Sequence, residues 1–178
     1  MSAPTYVLTV STRVFAPPAR VWAQRTDPAL LRAEFPPALF FVLPGAEADR
    51  LRAAFAAAAP VRVTGRFTPF RLPWPIELRA VTPGESFLDT SENALYRAFS
   101  HLHRFEAASD GCRTVDQVTF TPAFAPGLLA AATARVFVHR HRTLARHLPV
   151  DPRATAVAIL RRAAAPAPDD EAPATGEP

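Results

Sequence analysis

The chain of 178 residues contains a single cysteine, no lysine and only six glycines. One cysteine excludes an intramolecular disulfide and a metal site built from several thiolates. Because all 20 basic residues are arginine, a pI near 10.5 accompanies a net charge of only +4. The arginines are interspersed with the 16 acidic residues and form no basic run, so we expect no nucleic-acid partner.

The sequence also lacks a long apolar run and a charged leader followed by an apolar core. We therefore expect no integral membrane association and a cytoplasmic protein. The chain instead has 49% hydrophobic residues, including 13 phenylalanines, which favours a folded domain. Beyond about Ala163 the composition is dominated by Ala, Pro, Asp, Glu and Gly. We predict one domain over residues 1–162 and a disordered tail over residues 163–178.

Strand and helix signals follow one another in an order typical of a mixed α+β domain. Thr5–Phe15 predicts the first strand, and Pro18 and Asp27-Pro28 begin two short helices. The Ala46–Ala59 stretch predicts a short helix or an irregular insertion. A long helix is predicted from Pro126 to Leu148. Further strands are predicted over Ala38–Leu43, Val61–Phe70, Ile76–Val81 and Phe87–Thr90, with turns at Pro73-Trp74-Pro75 and Pro83-Gly84.

The most informative segment is a predicted hairpin around Asp110-Gly111, a dipeptide preferred in two-residue type I′ turns. Closure of the hairpin at this turn places His103 opposite Val118, His101 opposite Phe120 and Asp116 diagonal to His103. Every second residue of the first hairpin strand lies on the same face, and these residues are Phe99, His101, His103 and Phe105. A face that is apolar apart from two histidines and one aspartate is typical of a ligand cavity and also of an ordinary core.

The predicted long helix carries an apolar stripe that includes Phe137 and is interrupted by His141. A buried imidazole needs a hydrogen-bond partner, which we expect His141 to find in a cavity shared with the hairpin. Under that hypothesis His141→Phe leaves the stability nearly unchanged or raises it, and it weakens the binding of an apolar probe. Arg140 lies close to the same stripe, where its guanidinium can hold a carboxylate or pair with Asp116 or Asp89.

Several short motifs add to this pattern: Val14 to Trp22 (VFAPPARVW), Phe87-Leu88-Asp89, the alternating Phe99 to Phe105, the alternating Thr114 to Phe120, and Phe137-Val138-His139-Arg140. In their order and spacing they resemble the START and polyketide cyclase-like superfamily of helix-grip proteins (SRPBCC). The resemblance implies a curved antiparallel sheet wrapped around a long C-terminal helix, with two short helices after the first strand. It also implies an apolar cavity between sheet and helix.

From these observations we predict a binding or carrier protein for a small hydrophobic molecule. One alternative is a polyketide cyclase- or dehydratase-like enzyme, in which His103, oriented by Asp116, acts as a general base. Another is an interaction domain with a filled core. The predicted ligand-binding residues are Phe99, His101, His103, Phe105, Asp116, Val118, Phe120, Phe137, Arg140 and His141.

The spacing His-x-His also raises the question of a metal ion. A mononuclear site on His101 and His103 with Asp116 or His141 is an alternative reading of the same residues. The phenylalanine neighbours favour burial, and no second glycine- and histidine-containing motif is present. We therefore expect no metal and no cofactor, and the sequence leaves the oligomeric state open.

Overall fold

Eight antiparallel strands form a single sheet in the computed structural model, which describes residues 3–36, 40–68, 71–151 and 153–162. The order of strands across the sheet is β2-β3-β4-β5-β6-β7-β1-β8, so that most neighbours in the sheet are also neighbours in sequence. The strands are β1 (Thr5–Val14), β2 (Phe40–Val42), β3 (Val61–Thr68), β4 (Leu72–Thr82), β5 (Ser86–Ser91), β6 (Tyr96–Ala108), β7 (Gly111–Pro122) and β8 (Ala156–Arg162).

Four α-helices accompany the sheet in the described part of the chain: α1 (Pro18–Arg25), α2 (Pro28–Leu31), α3 (Gly45–Ala57) and α4 (Pro126–Thr143). Proline is found at the start of α1, α2 and α4. Its missing N–H is tolerated there because the first N–H groups of a helix have no partner within the helix. The Asp27 carboxylate caps α2 by accepting a hydrogen bond from the backbone N–H of Ala29 at 2.9 Å. The predicted helix-grip α+β fold is confirmed.

The long helix ends earlier than its sequence pattern predicted. Its last α-helical residue is Thr143, and the chain continues as a 3₁₀ turn over Leu144–Arg146. The Ala46–Ala59 stretch is largely the helix α3. The predicted disordered tail, residues 163–178, lies outside the described residues.

The β6–β7 hairpin confirms the predicted faces but corrects the predicted register. His103 pairs directly with Asp116, and His101 pairs with Val118, so the strands are shifted by two residues. The turn consists of residues 109 and 110, and Gly111 already belongs to β7. Gly111 has φ of +151°, and a Cβ there would lie 2.2 Å from the Val14 carbonyl oxygen. The glycine is therefore used for close approach to β1 rather than for the turn.

One further expectation about the strands is wrong. Pro73-Trp74-Pro75 lies inside β4 rather than in a turn. Because β5 pairs with β4 only from Glu77 onward, this end of β4 has a free side on which proline's missing N–H is tolerated. In addition, the sequence did not predict β8, which pairs with β1 from Ala156 to Arg162.

The apolar core lies between the sheet and the helices in two clusters. One surrounds Trp22 of α1, whose indole meets the rings of Phe55, Phe87 and Phe105 edge to face. The other lies under α4 around Phe120. Between these clusters the structure places a group of buried charged side chains.

No helix among the described residues has both the length and the apolarity needed to cross a bilayer.

Candidate functional site

A cavity of about 480 Å³ lies between the sheet and α4. Its volume falls within the range of small-molecule sites, about 300 to 1,000 Å³. Apolar side chains form most of its wall, and nine of them are aromatic rings, many of which meet edge to face, which fixes their orientation. The aromatic lining residues are Phe35, Phe41, Phe55, Phe67, Trp74, Phe87, Tyr96, Phe99 and Phe137.

Polar side chains line one part of this otherwise apolar cavity. Asp89 projects from β5, His101 and His103 from β6, Arg140 from α4 and Arg25 from the end of α1. Asp89 pairs across the sheet with His101, which brings the carboxylate beside both imidazoles. The two imidazole rings lie next to each other, with centroids 3.6 Å apart.

Each imidazole lies between two carboxylates. His103 Nε2 is 3.2 Å from Asp89 Oδ2, and its Nδ1 is 3.1 Å from Asp116 Oδ1. His101 Nδ1 is 3.6 Å from Asp89 Oδ2, and its Nε2 is 3.5 Å from Asp116 Oδ1. Asp89 lies on the cavity side of the rings and Asp116 behind them, because only Asp89 lines the cavity. Phe87 stacks on the His103 ring at 3.8 Å between centroids and holds it in place.

Asp116 is the centre of the buried charges, with none of its side chain exposed to solvent. Arg25 Nη2 donates to both carboxylate oxygens, at 3.1 and 2.8 Å. His141 Nε2 lies 3.2 Å from Oδ2. Burial opposes ionisation of Asp116, but the charge of Arg25 and the nearby histidines hold its pKa well below the usual range. The carboxylate is therefore ionised, and it accepts its hydrogen bonds from Arg25 while three imidazoles lie around it.

A second buried carboxylate, Glu34, joins the two arginines. Arg25 Nη1 donates to Glu34 Oε1 at 2.8 Å, and Arg140 donates to Glu34 Oε2 through Nε and Nη2 at 3.1 and 2.8 Å. Although burial opposes its ionisation, the charges of Arg25 and Arg140 lower the pKa of Glu34. The network fastens α1, the 3₁₀ turn after α2, β7 and α4 to one another.

At most one of the two imidazoles, those of His101 and His103, is positively charged near pH 7. Burial, with the neighbouring His103, lowers the pKa of His101 to about 4, so His101 is neutral near pH 7. Burial opposes the ionisation of Asp89, but its interactions with the neighbouring His101 and the hydrogen bond from His103 lower its pKa. The polar end of the cavity thus combines an ionised carboxylate with at least one neutral imidazole.

The structure separates the ten predicted ligand-binding residues into two groups of five. Those that line the cavity are Phe99, His101, His103, Phe137 and Arg140. Those that do not line it are Phe105, Asp116, Val118, Phe120 and His141.

Packing explains why the second group is displaced from the cavity. Phe105 packs against Trp22, while Val118 and Phe120 belong to the core under α4. His141 Nδ1 lies 2.9 Å from Thr12 Oγ1, so this imidazole finds its partners inside the core. Arg140 pairs with Glu34, which the sequence analysis did not consider, and not with Asp116 or Asp89, which it gave as possible partners.

Sequence reasoning missed three charged residues of the site. Asp89 was quoted only as part of a motif and as a possible partner of Arg140, although it alternates with Phe87 on the inner face of β5. Arg25 follows Val21 by four residues, which places both on the buried face of α1. Glu34 follows a four-residue helix, too short for a periodicity that would have indicated its burial.

Residues 12–148 match the model of a family described as a domain of unknown function, DUF8410. No curated protein matches the chain in sequence. Solved structures with the same fold include protein CV1439 from Chromobacterium violaceum, with a TM-score of 0.58 and 16% identity over 82% of this chain and 99% of that one.

Two other similar structures have more descriptive names. The di-domain ARO/CYC StfQ from the steffimycin biosynthetic pathway gives a TM-score of 0.55 and 10% identity, over 79% of this chain and 49% of that one. Ara h 8.0201 gives a TM-score of 0.50 and 14% identity, over 79% of this chain and 99% of that one. At these identities the similarity establishes the helix-grip fold alone.

Proposed function

Because the chain belongs to the DUF8410 family, whose function is unknown, we propose a function from the cavity: the protein binds a small, mostly hydrophobic molecule between the sheet and α4. The observation that carries this proposal is a cavity of about 480 Å³ with mostly apolar walls, including nine aromatic side chains, and a group of polar side chains at one end. It also weighs against an interaction domain with a filled core. We also propose that the protein belongs to the wider SRPBCC superfamily and that it is located in the cytoplasm.

The arrangement of the lining favours a flat, unsaturated ligand over a flexible chain. Trp74, Tyr96 and Phe99 meet one another edge to face, with centroid distances of 5.3 to 5.7 Å. Rings fixed in this way present edges and faces at set positions, which suits another ring system. The polar end, with Asp89, His101, His103 and Arg140, would meet the ligand's polar group.

Native mass spectrometry of the purified protein tests the proposal by detecting a co-purified small molecule. A titration with a fluorescent naphthalene dye provides a second measurement. Val136 of α4 lines the cavity, so Val136→Trp places a bulky ring inside it and should weaken dye binding. Leu128→Trp is the matched control, because Leu128 is on the same helix but is 68% exposed and outside the cavity. Equal dye affinity in both variants, or no bound molecule and no dye binding in the wild type, would contradict the proposal.

A second candidate is a cyclase- or dehydratase-like enzyme, because His101 and His103 are accessible from the cavity and held by carboxylates. In this case an imidazole removes the α-proton of an enolisable ketone and the resulting enolate later regains a proton. The test is deuterium incorporation from D₂O into an aromatic diketone, followed by NMR. Incorporation that is faster than the uncatalysed rate and is lost in His103→Gln supports the enzyme. A dye-binding protein without incorporation is a carrier.

A further inference from the structure

The polar end of the cavity has the donor set of a metal site. One donor atom from each of Asp89, His101 and His103 lies within 4.8 Å of the other two. Ligand atoms bound at about 2.1 Å to a tetrahedral or octahedral ion lie about 3.0 to 3.4 Å apart. The observed separations from Asp89 Oδ2, 3.2 Å to His103 Nε2 and 3.6 Å to His101 Nδ1, are close to these values.

The hydrogen bonding of the two imidazoles leaves a place for a cation. A neutral imidazole donates through one nitrogen and presents a lone pair at the other. A neutral His103 with its proton on Nε2 can donate to Asp89 and accept from Arg25 Nη2, which lies 3.5 Å from its Nδ1. Both nitrogens of His101 lie beside carboxylate oxygens, so a neutral His101 directs its lone pair at one of them. Protonation of both rings is opposed by their separation of 3.6 Å. A cation between Asp89, His101 and His103 satisfies all three groups at once.

The carboxylate behind the rings provides the orientation that metal-binding histidines usually have. Nδ1 of His103 and Nε2 of His101 lie 3.1 and 3.5 Å from Asp116 Oδ1, so with an ion on the cavity side the protonated nitrogens of both rings are beside this carboxylate. Metal-bound histidines commonly donate their second N–H to a carboxylate in this way. Arg25 in turn fixes Asp116 through two hydrogen bonds.

The charges of the network also favour a cation. Three carboxylates, Asp89, Glu34 and Asp116, face two guanidinium groups, those of Arg25 and Arg140. With neutral imidazoles the network has one excess negative charge, which attracts a cation.

We propose that Asp89, His101 and His103 bind one divalent transition-metal ion through Oδ2, Nδ1 and Nε2, respectively, with the remaining coordination positions open to the cavity. Two imidazoles and one carboxylate suit zinc, iron or cobalt better than magnesium or calcium. This reverses the expectation of no metal and also changes the ligand set that the sequence suggested. Asp116 lies behind the imidazoles, and His141 is occupied by Thr12 and Asp116.

The proposal is tested with Zn²⁺ alone, without any organic ligand. Isothermal titration of metal-free protein should show one Zn²⁺ per chain, and Asp89→Asn and His101→Gln should each weaken binding about 100-fold or more. Asp116→Asn keeps the three ligands but removes the carboxylate charge that faces both imidazoles and Arg25, and it should weaken binding about 10- to 100-fold. His147→Gln is the control, because His147 is exposed and distant in sequence from the three ligands.

A second measurement does not depend on whether the variants fold. Side-chain ¹⁵N NMR of the wild-type protein should show that Zn²⁺ shifts Nδ1 of His101 and Nε2 of His103, while the other nitrogen of each ring keeps its proton. Unmoved signals, or binding that survives both Asp89→Asn and His101→Gln, would overturn the proposal. Because the readout is the metal itself, its failure leaves the proposal of an apolar ligand intact, and failure of dye binding leaves the metal site intact.

Discussion

Replacement of Arg25 is the most direct test of the buried charge network. The Arg25 side chain is fully buried and is bound to Asp116, which is also fully buried, and to Glu34, of which 7% is exposed. Arg25→Met keeps the length of the side chain but leaves both carboxylates without this cation. Breaking a buried ion pair from one side costs about 3 to 5 kcal/mol. For a chain of this size that corresponds to a fall in Tm of about 6 to 20 °C.

The assay is urea unfolding followed by circular dichroism, supported by thermal unfolding. Arg13→Met is the matched control, because Arg13 makes an exposed ion pair with Asp110 and its loss should change the stability little. The combined variant Arg25→Met, Asp116→Leu should be more stable than the two single losses would predict, since the buried charge is then removed. An Arg25→Met loss no larger than that of the control, or strictly additive losses, would refute this reasoning.

Three further predictions concern single contacts. Because Glu34 has a lowered pKa in the fold, its contribution to stability is present above its unfolded pKa of about 4.5 and is lost as the pH falls further; Glu34→Gln should therefore flatten the loss of stability measured by urea unfolding below that pH. Contrary to the sequence-based expectation, His141→Phe should lower the stability by about 1 to 3 kcal/mol, because the buried contacts of the imidazole with Thr12 and Asp116 are lost, although the Thr12 hydroxyl keeps Thr155 as a partner; an unchanged urea midpoint would contradict this. Gly65→Ala should cost about 1 to 3 kcal/mol in the same assay, since its Cβ would lie 2.0 Å from the Phe41 ring; a neutral result would show that the ring moves aside.

Periodicity was sufficient to predict most of the fold. Strand alternation gave the correct inner face of β6 and β7, because a shift of two residues leaves every side chain on the same face. It did not give the register, since the sequence does not show that Gly111 is needed against the backbone of β1. Nor did it predict β8, whose seven residues are all exposed and so carry no pattern of burial.

The candidate site was predicted in part for a related reason. His101 and His103 stand out because polar residues on an apolar strand face are unusual. Arg25 and Glu34 do not stand out, since charged residues in short helices are mostly exposed to solvent. Their burial depends on each other and on Arg140, which is 106 residues from Glu34 in sequence. Local patterns contain no information about a pairing at that distance.

The all-exposed strand β8 has a consequence for how the sheet opens. β1 forms two ladders, one with β7 on its inner side and one with β8 on its outer side. The β7 ladder is covered by core side chains, whereas the β8 ladder is held by backbone hydrogen bonds with little packing. Local opening should therefore begin at β8, and its amide protons should exchange with solvent well before those shared by β1 and β7. While β8 is detached, the outer edge of β1 is free to pair with a strand of another chain. In its paired state β8 covers this edge and so prevents edge-to-edge association.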